Sequence, residues 1–192
     1  FLASGANPPN DVYTITIPLD GGSYTGLLLE TLADESLPGK GPGRAQNGNF
    51  VIQELKANFT PDGEGKKPAP VALVNAKATF SQASFEVTKA VDNNPATGWA
   101  ISPQLGKSQS AYFQIQNPAL FKEKGKLVLT MTQNYGMQHT LGRFKLSITK
   151  TPGQVQPFGA EGEVAQILLL PSEKRTEKQK QVLVNAFRAQ DN

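Results

Sequence analysis

Val12-Tyr13-Thr14-Ile15-Thr16-Ile17, closed by Pro18 and the turn residues Asp20-Gly21-Gly22, puts Tyr13, Ile15 and Ile17 on one side and the threonines on the other. An extended chain sends successive side chains to opposite faces, so this run reads as a β-strand. The same period continues outward. Tyr24–Leu32, Asn49–Phe59, Val71–Phe80, Phe85–Val87, Ala111–Gln116, Lys126–Asn134 and Leu141–Thr149 read as further extended segments, giving seven or eight strands. The last two read as a long antiparallel pair joined through Tyr135–Thr140. Leu37–Arg44, rich in glycine and proline, reads as a loop ordered by its neighbours, and Pro61–Pro70 as an exposed excursion or a disordered linker. No helical pattern separates the strands. The fold class is therefore all-β, an antiparallel two-sheet sandwich rather than a βαβ arrangement.

After Pro157 the period changes. Residues 163–170 read as a short helix, and Thr176-Glu177-Lys178-Gln179 has the pattern of a capping box. Val182, Leu183, Ala186 and Phe187 then share one helical face. The division is a sandwich over residues 1–157 and, over 158–192, a helical tail or the start of a linker to a next domain.

Composition narrows the function. The chain has 192 residues, 19 Lys and Arg against 16 Asp and Glu, and a net charge of +3. Two large domains are excluded, and a charged fraction of 18% is poor equipment for neutralising phosphates, so nucleic acid is not the expected partner. Without cysteine there are no disulfides, thiolate metal sites or cysteine nucleophiles in these residues. No apolar run approaches the roughly 18 residues that span a bilayer. The chain begins at Phe1, which reads as a processed product or a piece of something longer.

The segment Ala90-Val-Asp92-Asn-Asn94-Pro-Ala-Thr97-Gly-Trp99 gathers hard oxygen donors in a tight turn, as a calcium ion requires. Spacing alone favours the alternative, an Asx-rich turn between strands without metal. Tyr135, His139, Arg143 and Trp99 are the candidate glycan ligands, offering aromatic faces and polar side chains. Three of them have a structural alternative: Trp99 as a core anchor, Arg143 paired with a carboxylate on its own face, His139 fixing a hairpin loop. Lys40 and Arg44 sit in the glycine-rich loop, which reads as scaffold. His139 is the only histidine, and no paired carboxylates stand out, so an enzyme is not expected.

The Ala90–Trp99 segment resembles the opening motif of the discoidin or coagulation-factor type C family, A-x-D-G-[ND]-x-x-T-x-W; Asp92, Thr97 and Trp99 agree, and Asn93 replaces the usual glycine. The resemblance implies a jelly-roll sandwich with one structural calcium and loops that bind glycans or membranes. Tyr24–Glu30 and Phe50–Ala57 resemble the family's closing strands, here placed ahead of the motif, which implies a permuted strand order. On this reading Glu54 joins Asp92, Thr97 and the backbone of Ala90 and Asn94 around the ion. Over a wider span, Ser36–Phe50, Asp92–Ile101 and His139–Ser147 resemble the central region of planctomycetal proteins with a cytochrome c domain. That resemblance implies an extracytoplasmic parent, periplasmic or secreted, with neighbouring domains as partners. The expectation is a non-catalytic carbohydrate-binding module that takes a polysaccharide or glycan; the alternative is a structural spacer or docking domain with no ligand.

Overall fold

Alternation sets the facing of each strand. In Asp11–Leu19 (β1), Tyr13, Ile15 and Ile17 pack against the core while Thr14 and Thr16 remain exposed, the pattern of a strand with one wet face. A computed structural model describes residues 1–151, 164, 167 and 171–188. Its contacts form two units, Phe1–Val155 and Gln156–Asn192.

The first unit contains seven more strands: Gly26–Thr31 (β2), Glu54–Pro61 (β3), Ala69–Val71 (β4), Leu73–Ala78 (β5), Gln109–Ile115 (β6), Gly125–Gln133 (β7) and Phe144–Thr149 (β8). They form two four-stranded sheets, β1-β7-β3-β4 and β5-β6-β2-β8, with every pairing antiparallel. The all-β sandwich read from the sequence is what the chain adopts. The inner faces supply one core, in which Phe59, Phe113, Phe121, Leu29, Leu129 and Met131 are almost wholly buried. Phe121 bridges the rings of Tyr24 and Phe59, at 5.5 and 4.8 Å between centroids.

Three expectations change. β7 and β8 are not a hairpin: both hydrogen-bonding edges of β7 are taken, by β1 and β3, and β8 pairs with β2 in the other sheet. Residues 134–143 therefore cross the end of the sandwich. Val71–Phe80 is not one strand, because at Ala72 the chain steps from the first sheet to the second, and β5 then carries a bulge between Val74 and Lys77. Phe85–Val87 is not a strand either; a bridge joins Gln82 to Phe85, and Val87–Ala90 is a 3-10 turn. Pro61–Pro70 closes the β3–β4 hairpin, with residues 62–68 exposed.

In the second unit the capping box is formed at the start of Glu177–Arg188 (α1). Gln179 N–H donates to the Thr176 hydroxyl at 3.3 Å, and Thr176 N–H donates to Gln179 Oε1 at 2.9 Å. The helix expected over 163–170 lies, apart from 164 and 167, outside the described residues, as does the boundary expected at residue 157. No described helix is long and apolar enough to cross a membrane.

Candidate functional site

The segment ahead of β3 brings the distant candidates together. Ile52 and Trp99 exchange backbone hydrogen bonds at 2.9 and 2.8 Å, which fastens the end of the Asp92–Thr97 turn to the residues before β3. Gly98 makes this approach possible, since a Cβ there would lie 2.8 Å from the Ile52 carbonyl oxygen. Two residues further on, Glu54 enters β3 with 5% of its surface exposed, beside the turn.

The turn is held by its own side chains. Asp92 accepts the Asn94 N–H at Oδ1 and the Thr97 hydroxyl at Oδ2, both at 2.8 Å, and Thr97 Oγ1 also donates to the Asn94 carbonyl. Asn93 adopts a left-handed φ of 61°, the conformation that asparagine tolerates better than most residues. Ala90, fully buried, ends the 3-10 turn two residues before Asp92. Glu54 completes the group: burial pushes its carboxyl above the ordinary glutamate range, and the negative charge of Asp92 pushes the same way, against Lys56 and the Asn94 N–H.

Glu54 Oε1 is buried and has no hydrogen-bond partner, the position in which a cation removes an energetic cost. Among the described residues no three His, Asp or Glu side chains cluster, so a metal here would depend on carbonyl and hydroxyl oxygens as well as on two carboxylates. Such a donor set suits calcium and is poor for zinc or other nitrogen- and sulfur-seeking ions.

The second group lies on the connection from β7 to β8. Tyr135 is 51% exposed, and its ring meets Phe85 and His139 edge-on at 5.7 and 5.1 Å. His139 is fixed from both ends: its Nδ1 lies 3.0 Å from the Gly136 carbonyl, and its own carbonyl accepts the Val51 N–H. Ala45, Gln46, Asn47, Met137, Gln138 and His139 line an open groove of ≈ 370 Å³, so three amide residues border the His139 whose ring meets Tyr135. The groove wall is rigidly built. Gly43 runs so close to Asn49 that a Cβ would overlap the Asn49 carbonyl oxygen, and buried Arg44 donates to the carbonyls of Ala6 and Gly5 at 2.6 and 3.3 Å. In the glycine-rich loop Lys40 is held by Glu35 at 2.8 Å.

The expected ligand residues separate. Tyr135 and His139 come together. Trp99 does not join them: it is fully buried against Phe50, with its indole N–H donated to the Phe80 carbonyl. Arg143 donates to Asp34 Oδ2 at 2.8 Å, and that contact, after the stronger effect of hydrogen bonds from Ser36, holds the Asp34 carboxyl below its usual range. Both residues take the structural roles that were their alternatives.

Two participants carried no signal of their own in the sequence. Phe85 sits in a segment that alternates like a strand, yet its ring backs Tyr135. Gln53, 9% exposed, donates from Nε2 to the Pro95 carbonyl at 2.7 Å and accepts the Asn134 N–H at Oε1, joining the Asp92 turn to the aromatic connection. A polar residue between Ile52 and Glu54 in an otherwise packed stretch was the only clue. No protein-family model, no curated protein and no solved structure matches the chain.

Proposed function

We propose that the chain is a non-catalytic carbohydrate-binding module of a larger extracytoplasmic protein, with a structural calcium at Glu54 and the Asp92–Thr97 turn. The observation that carries the reading is the half-exposed Tyr135 ring, braced by Phe85 and His139 beside a groove edged with Gln46, Asn47 and Gln138. A rigid aromatic ring offers a face to sugar C–H groups at low entropic cost, and planar amides hydrogen-bond vicinal hydroxyls. In the calcium site Glu54 and Asp92 supply negative charge, while Thr97 and the backbone of Ala90 and Asn94 supply neutral oxygens. Calcium neutralises the charge and ties β3 to the turn.

The sandwich is read as a discoidin-like jelly roll with permuted strand order, on the support of the Ala90–Trp99 motif and of Glu54 preceding it in the chain. The location and the neighbouring domains rest on the resemblance to planctomycetal cytochrome c domain-containing proteins. The rival is a spacer domain without a ligand, and the structural roles of Trp99 and Arg143 favour it.

Affinity electrophoresis against a panel of soluble polysaccharides separates the two. The module is retarded by at least one polysaccharide, and Tyr135→Ala weakens that interaction by ~10-fold or more, the loss typical of a central aromatic anchor. No retardation by any polysaccharide leaves the spacer standing.

A further inference from the structure

Among the described residues, Gln53 is the one side chain that hydrogen-bonds to both candidate groups. Its Nε2 donates to the Pro95 carbonyl, inside the turn that Asp92 organises, and its Oε1 accepts from the N–H of Asn134, the residue before Tyr135. Its backbone N–H is held by the Thr132 carbonyl, which fixes the backbone of Gln53 against β7, while the side-chain amide is held at both its nitrogen and its oxygen. Two residues earlier, Val51 N–H holds the His139 carbonyl, and the next residue is Glu54 with its unpartnered buried oxygen.

We propose that Gln53 couples cation occupancy at Glu54 and Asp92 to the conformation of the Tyr135–His139 connection, so that calcium regulates the sugar-binding rim. This rests on the calcium reading given above. A cation that draws Glu54 and the turn together fixes the Pro95 carbonyl, and a fixed carbonyl holds the Gln53 amide in the orientation that receives Asn134. The coupling is reciprocal, because a linkage free energy belongs to both sites: a ligand that orders the aromatic connection tightens the cation. Coupling of this kind changes affinities by roughly 5–150-fold.

The chain supplies its own reporters. Trp99 is the only tryptophan and is tied to Ile52 beside the cation group; His139 is the only histidine and lies in the aromatic group. Calcium chloride is titrated into the chelator-treated protein while Trp99 fluorescence and the His139 ring proton resonances are followed. In the wild type both respond with one midpoint. In Gln53→Leu, Trp99 still reports calcium but the His139 shift is lost. Gln53→Met, which keeps the length of the side chain and removes both hydrogen bonds without adding a charge beside Glu54, loses the His139 shift as well and guards against a folding defect in the leucine variant. A wild-type Trp99 response with motionless His139 resonances overturns the coupling and spares the calcium site, as does an undiminished His139 shift in both variants. Silence of both reporters in the wild type overturns the calcium reading and the coupling together.

Discussion

Glu54 carries a carboxylate where burial, and after it the charge of Asp92, disfavours ionisation. A folded-state value raised above the unfolded one fixes the sign of a pH effect. Below the unfolded value both states are protonated and nothing is lost; as pH rises through the ordinary glutamate range the unfolded chain ionises first, and stability declines until the raised value is passed. Glu54→Gln cannot ionise. In chelator, urea unfolding between about pH 4 and 7 therefore shows the variant gaining on the wild type as pH rises, and a difference that stays level across that range refutes the assignment. The residue is legible as acidic and next to packed positions, but its neighbour in space, Asp92, is 38 positions away along the chain, and only the motif around Ala90–Trp99 suggested the pairing. Phe85 shows the opposite case. Its local alternation argued for a strand, and the bridge to Gln82 followed by the 3-10 turn at Val87–Ala90 redirected it to Tyr135.

Elements were readable where the signal is local. β1 was evident from its alternation, and α1 from a capping box whose two reciprocal hydrogen bonds are both present. Thr176→Ala removes the hydroxyl acceptor of that box and destabilises the helix by about 1 kcal/mol. Amide exchange within Glu177–Arg188 speeds up in the full chain, while exchange in β7 does not change; unaltered helix exchange contradicts the cap. Pairing, by contrast, is not a local property. The segments now seen as β7 and β8 are strong strands close together in sequence, and proximity suggested a hairpin, yet β1 and β3 already satisfy both edges of β7. The consequence is geometric: a connection that crosses between sheets, rather than a tight turn at the end of a ribbon, presents Tyr135 and His139 at the rim.

At the scale of the whole first unit, the two sheets share one core and their loops are tied to one another by backbone and side-chain hydrogen bonds. The order of that rim depends on a few long-range contacts: Ile52 with Trp99, Gln53 with Pro95 and Asn134, Arg44 with the first residues of the chain. Periodicity foretold the sandwich because burial of one face leaves an alternating trace. It could not foretell which loops share an end: of the expected ligand residues Trp99 lies inside the core, and Arg143, exposed, is paired with Asp34. What remains is a claim that a cation joins Glu54 to the Asp92–Thr97 turn. Thermal unfolding of the wild type and of Glu54→Gln, each with chelator and with calcium in 100-fold excess over its dissociation constant for the wild type, tests it most directly. Binding to the native state alone stabilises the wild type by about 2.7 kcal/mol, a rise of roughly 5–10 °C in melting temperature, and leaves Glu54→Gln unmoved. A wild type that melts at the same temperature in calcium and in chelator contradicts the account.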